Sequence, residues 1–124
     1  MAVVPRIKRL EIELPQAKCK NNCRFCSNYG GQYVDAPMTK EETFGIVDDF
    51  ANMGGEAIVL SGGEPLENPF FYELIERAKN KLLSVYVYSS GYLLDDVNVG
   101  KLRSHHVDGL YVTINGTEST HDFL

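Results

Sequence analysis

Ala57-Ile58-Val59-Leu60-Ser61-Gly62-Gly63-Glu64-Pro65 is the stretch on which the fold turns. Ala57 to Leu60 is a short, continuous apolar run. That is the pattern of a parallel strand buried on both faces, since a strand with one wet face alternates apolar with polar residues. Gly62 and Gly63 then allow backbone angles that other residues avoid. A helical pattern follows: Asn68-Pro69 supplies an N-cap and a first-turn proline, and Phe71, Leu74, Ile75 and Ala78 form an apolar stripe at helical spacing.

Working upstream, Gly54-Gly55 stops a helix whose stripe is Phe44, Val47, Phe50 and Ala51. Thr39 and Glu42 make a capping-box pattern at its start. Earlier still, Leu10, Ile12 and Leu14 alternate with Glu11 and Glu13, which predicts a strand ended by Pro15. Downstream, Val85 to Tyr88 is β-branched and aromatic and predicts the third strand. Asp95 to Arg103 predicts a third helix, in which Gly100 costs about 1 kcal/mol relative to Ala. Leu110 to Ile114 predicts the fourth strand.

The order is βαβαβαβ. Strands separated by helices pair in parallel, because each crossover returns the chain to the same end of the sheet. Right-handed crossovers place every strand-to-helix loop at the C-terminal edge, where parallel α/β sheets bind their ligands. Four segments fall there: a long loop over 15–38, Gly62 to Pro65, Ser89-Ser90-Gly91, and Asn115-Gly116. No internal repeat or second domain is legible, so residues 1–124 read as one domain.

Charge and hydropathy narrow the function classes. Twelve Lys and Arg against 17 Asp and Glu leave a net charge of −5, which disfavours a nucleic-acid surface. No apolar run approaches the ~20 residues of a membrane span. The N-terminal residues lack the apolar core of a signal peptide, which gives a cytoplasmic expectation.

The long loop carries all three cysteines, in Cys19-Lys20-Asn21-Asn22-Cys23-Arg24-Phe25-Cys26. An odd number of clustered thiols, in a chain with no export signal, argues for metal binding or catalysis over a disulfide framework. Thiolate sulfur ligates iron–sulfur clusters and zinc alike. Three ligands leave one metal position open, and an open position admits water or substrate. Two alternatives stand at this level. One is a zinc site completed by His105, His106 or His121, and the other is a cluster with a distant fourth ligand.

The spacing Cys19-x-x-x-Cys23-x-Phe25-Cys26 resembles the signature of the radical S-adenosylmethionine (SAM) superfamily. Gly62-Gly63-Glu64-Pro65 resembles the family's Gly-Gly-Glu-Pro segment. Ser89-Ser90-Gly91-Tyr92-Leu93-Leu94 is similar to its Thr-Asn-Gly-x-Leu-Leu segment, with Ser90 where the family has Asn. Thr113-Ile114-Asn115-Gly116 with His121-Asp122 is similar to a Ser-x-Asp-Gly…His-Asp pattern, with Asn115 for Asp, found in subfamilies that modify peptides or build cofactors. The resemblance implies a partial (βα) barrel of parallel strands, with about four of the usual six βα units present. It implies that Cys19, Cys23 and Cys26 ligate a 4Fe–4S cluster and that SAM chelates the fourth iron. It places Phe25, Gly62, Gly63, Glu64, Pro65, Ser89 and Asn115 among the cofactor-binding residues, with Gly62 to Pro65 at the methionine amine and Asn115 toward the ribose or substrate. The implied chemistry is one-electron cleavage of SAM to a 5′-deoxyadenosyl radical, which abstracts hydrogen from a peptide or small-molecule substrate. An electron donor such as flavodoxin or ferredoxin is implied too.

Taken singly, the softer segments have plain readings. Gly62 to Pro65 alone is a tight turn before a helix, and Ser, Asn and Gly dominate turns in any case. Tyr86 and Tyr88 read as packing residues, and His105-His106 as a solvated turn. A non-catalytic iron–sulfur or zinc module and a small thiol redox protein are the rival functions. The family's fifth and sixth strand segments are not found, so a truncated core is expected. Such a core should associate with itself through the apolar fourth strand and turn over poorly as a monomer.

Overall fold

Four parallel strands form one sheet in the order β1-β2-β3-β4. They are β1 (Arg9–Glu13), β2 (Ala57–Ser61), β3 (Ser84–Ser89) and β4 (Gly109–Val112). Between them run α1 (Lys40–Asn52), α2 (Phe71–Asn80) and α3 (Asp96–Ser104). The structure is a computed structural model that describes residues 6–14, 38–114 and 116–118. Each strand pairs with the next in sequence, so the chain winds in one direction without the reversal of a doubly wound sheet. This is the arrangement of a partial (βα) barrel. No helix among the described residues is long and apolar enough to cross a membrane.

The core lies on one face of the sheet. Ile12, Ile58, Leu60, Val85 and Val87 project there and meet Val47 and Phe50 of α1, Phe71, Leu74, Ile75 and Ala78 of α2, and Leu102 of α3. Phe71, Leu74 and Ile75 are fully or almost fully buried, worth roughly 1.5–3 kcal/mol each. Val59, which points the other way on β2, is also buried, so β2 is covered on both faces as its unbroken apolar run implies.

The expected cap is present in α1, and a second, at Asp95, opens α3. Thr39 Oγ1 accepts the Glu42 N–H at 3.1 Å at the start of α1. Asp95 Oδ1 accepts the Asn98 N–H at 2.7 Å at the start of α3. The start of α2 differs from expectation. A 3₁₀ turn over Pro65–Glu67 takes the proline-led position, and Asn68 Oδ1 accepts the Phe70 N–H at 2.9 Å without capping the helix itself. The Leu74 N–H donates to the Phe70 carbonyl at 2.9 Å, so Phe70 is the N-cap and the helix opens at Phe71. Strand β4 also ends early, at Val112, because its partner Ser89 is the last residue of β3. Ile114 is left exposed.

Asp108 joins the ends of three elements. Its Oδ2 accepts the Val85 N–H at 2.7 Å and the Lys79 ammonium at 2.8 Å. Burial pushes its carboxyl up, but the Lys79 hydrogen bond and the Val85 amide outweigh that and hold it below the ordinary carboxyl value. Asp108→Ala is expected to cost about 1–3 kcal/mol in urea unfolding at neutral pH, since it strands the Val85 N–H and frees Lys79. A depressed folded-state pKa gives stability that is full above the unfolded value and is lost as pH falls through the folded value. The gap between wild type and variant should therefore narrow in acid. A gap that stays constant down to about pH 2 would contradict the assignment.

Candidate functional site

The C-terminal edge of the sheet is where the loops after the strands gather. Strand β2 delivers Gly62 with φ at 120°. A Cβ there would meet the backbone of Leu14, 3.0 Å from its carbonyl oxygen and 3.2 Å from its nitrogen. Gly62 is thus seated against the backbone that leaves β1, where the Leu14 N–H donates to the Ser61 carbonyl at 2.9 Å. Only glycine combines that φ with that closeness. The glycine has a folding reason as well as the ligand reason drawn from its motif.

Glu64 comes next, and its side chain is completely buried. Its Oε1 accepts the Ser89 hydroxyl at 2.9 Å and, more loosely, the Leu66 N–H at 3.4 Å. Its Oε2 accepts both the Ser90 N–H at 2.9 Å and the Ser90 hydroxyl at 2.6 Å. The Ser89 hydroxyl in turn accepts the Gly91 N–H at 3.0 Å. Gly91 has φ at 94°, and a Cβ there would come within 3.1 Å of Val112 at the end of β4. One carboxylate therefore binds the loop after β2 to the loop after β3, and that loop packs on β4.

The structure brings together Gly62, Glu64, Pro65 and Ser89 from two separate loops. Glu64 and Pro65 are buried, whereas Gly62 and Gly63 remain partly exposed, so the glycine backbone is what this loop turns outward. Cys19, Cys23, Cys26, Phe25 and Asn115 lie outside the described residues, as do His121 and Asp122. Among the described residues no group of three or more His, Cys, Asp or Glu is placed to hold a metal. Ser90 is the residue that the motif reading passed over. Its signal was present, a second hydroxyl directly after a strand at the ligand edge, but its target lies 26 positions away.

Tyr88 does not pack into the core: it is exposed on the sheet face opposite α1, α2 and α3, edge-to-face with Tyr111 at 5.0 Å. Tyr86, half-buried, lies over Gly109, and the Arg9 guanidinium sits 5.1 Å from its ring centre. Glu11 and Glu13 share that face by strand alternation. His105 sits in the turn after α3, its Nδ1 2.6 Å from the Lys101 carbonyl and its Nε2 3.1 Å from Glu76.

A family model described as the radical SAM superfamily matches residues 14–124. An AdoMet-dependent heme synthase from Methanosarcina barkeri is 34% identical across 98% of this chain, which spans 35% of that protein. A PqqA peptide cyclase from Granulibacter bethesdensis is 28% identical across 82% of the chain, 27% of that protein. The chain thus spans about a third or less of these curated relatives. Among solved structures, BtrN in complex with AdoMet and 2-DOIA superposes with a TM-score of 0.77 at 16% identity, covering 98% of this chain and 50% of BtrN. That likeness is one of fold.

Proposed function

We propose, from the premise that this chain belongs to the radical SAM superfamily, that it carries the cluster- and SAM-binding part of an enzyme core. Relatives of the chain are enzymes that act on a peptide or build a small-molecule cofactor. Residues 1–124 then make a single domain, part of such a core. Cys19, Cys23 and Cys26 are its cluster ligands, and Phe25 stands beside the last of them. When bound, the 4Fe–4S cluster and SAM supply a one-electron cleavage that yields a 5′-deoxyadenosyl radical for hydrogen abstraction.

The observation that carries this reading is the junction of two motif loops at one edge, with Glu64 of the Gly-Gly-Glu-Pro segment bonded to Ser89 and Ser90. The donor set suits the methionine end of SAM. The partly exposed glycine backbone offers carbonyl acceptors to an ammonium, and a small-residue loop allows close approach. Gly62 and Gly63 present the backbone, Glu64 and Pro65 fix its course, and Asn115, just beyond β4, is assigned to the ribose or substrate. The substrate class is a peptide or a small molecule, and a flavodoxin or ferredoxin is the electron donor.

Anaerobic reconstitution with iron and sulfide tests the reading. A brown protein whose reduced-cluster electron paramagnetic resonance (EPR) signal changes on adding SAM is expected. A colourless zinc protein, or a metal-free protein that forms a reversible disulfide, would replace this reading with one of its rivals.

Self-association is part of the proposal. Leu110, Tyr111 and Val112 of β4 are substantially exposed, and among the described residues β4 pairs on one side only. An apolar, uncharged edge of this kind favours pairing with another chain. Light scattering after size exclusion should give a dimer or larger species, and Tyr111→Lys should return it to monomer. A wild-type protein that is monomeric throughout would refute the edge as an interface.

A further inference from the structure

We infer that Ser89 and Ser90 are positioning residues for SAM, acting through Glu64 on the Gly62–Gly63 backbone. The inference rests on the SAM-binding role proposed above and deepens it.

The argument is one of anchors. Upstream, Gly62 is seated on the Leu14 backbone with no room for a side chain. Downstream, Glu64 is seated on β3 by its side chain, and its carbonyl accepts the Glu67 N–H at 3.0 Å. Gly63 is the one residue between these two fixed points. A glutamate has three rotatable bonds and holds one course only when its carboxylate is held. Here Ser90 donates twice to one oxygen, through its N–H and its hydroxyl. Ser89 donates to the other oxygen, and its own orientation is set by the Gly91 N–H that it accepts. Deleting either hydroxyl leaves Gly62 in place but loosens the downstream anchor. Gly63 then precedes a less firmly held Glu64, and a glycine follows such loosening readily. SAM would then have to order the loop as it binds, and that ordering weakens affinity.

The serine pair is also a departure in this chain. Ser90 stands where the resembled segment has Asn, and its short hydroxyl reaches Oε2 while its own N–H reaches the same atom. The two donors converge only because Ser90 follows directly on the strand end at Ser89.

The test uses Ser90→Ala, Ser89→Ala and Ser90→Thr in the reconstituted protein. SAM is titrated at equilibrium, and the reduced-cluster EPR signal is followed. Ser90→Ala should bind SAM about tenfold more weakly, the equivalent of one hydrogen bond to a charged group. Ser90→Thr, which restores a hydroxyl, should bind as wild type, and iron content should be equal in all. Before SAM is added, amide hydrogen exchange at Gly63, Glu64 and Leu66 should be faster in Ser90→Ala than in wild type. Wild-type affinity in Ser90→Ala, even with lowered thermal stability, would overturn the inference and leave a purely structural serine. If Ser89→Ala fails to fold, the Ala and Thr variants at position 90 decide. A wild-type protein that holds the cluster but does not bind SAM would overturn the parent reading, and this inference with it. Wild-type binding that is indifferent to Ser90→Ala overturns this inference alone.

Discussion

Cys23→Ala is expected to leave the reconstituted protein without a four-iron cluster. The three cysteines stand within eight residues of sequence, separated by three and then two others. Short spacings let a single loop reach three corners of a cubane, and loss of the middle one leaves Cys19 and Cys26 as the two remaining thiolates. No other cysteine exists in the chain to replace it, and no described group of His, Cys, Asp or Glu forms a substitute metal site. Iron should fall from about four per chain to a small fraction of that, with loss of the brown absorbance. On the proposed function SAM cleavage should fall to background as well, because the electron would enter through the cluster. The same result is expected for Cys19→Ala and Cys26→Ala. Iron and sulfide analysis with absorbance spectroscopy makes the measurement, and a full cubane retained in Cys23→Ala would refute the ligand assignment.

Glu64→Ala is expected to destabilise the fold by about 2–4 kcal/mol, because it strands several buried donors at once. The Ser89 hydroxyl, the Ser90 hydroxyl and the Ser90 N–H all donate to this carboxylate. The hydroxyls can turn elsewhere, but the backbone N–H cannot. The variant also leaves a void where a fully buried side chain stood. Glu64→Gln should cost less, about 1–2 kcal/mol. Its amide oxygen can serve the Ser90 N–H, which places the NH₂ toward Ser89 and the Leu66 N–H. Ser89 can rotate to accept, but only by giving up its donation, and the Leu66 N–H then faces another donor. The predicted order is wild type, Gln, then Ala, read from urea midpoints of the metal-free protein. An alanine variant within about 0.5 kcal/mol of wild type would show that the buried carboxylate does not hold the loops together.

Much of the fold is legible because its signals are local. Ala57 to Leu60 announces a buried parallel strand through four adjacent residues. Thr39 and Glu42 announce the start of α1 across one helical turn, and the structure keeps that cap. The alternation of strands and helices requires parallel pairing, and the sheet has it throughout. The boundaries that shifted were those set by competition. Pro65 and Pro69 both invite a helical first turn, and the 3₁₀ turn between them moved the start of α2 to Phe71. Strand β4 stopped where β3 ran out of backbone to pair with.

The candidate site divides along the same line. By itself the sequence determined the element order, the parallel sheet and the edge at which the motif loops fall, because periodicity and turn chemistry act over a few residues. By resemblance it also nominated Gly62 to Pro65 and Ser89 as candidate site residues. Tertiary structure alone decided what Glu64 touches. Its partners lie 25 and 26 positions downstream, and no local pattern states which strand-end serine will face which carboxylate. It decided that Gly62 answers to the Leu14 backbone, a contact between residues far apart in the chain. It decided too that Tyr88 faces away from the core, since alternation fixes that two faces differ but only the packing of α1, α2 and α3 chooses which of them is covered.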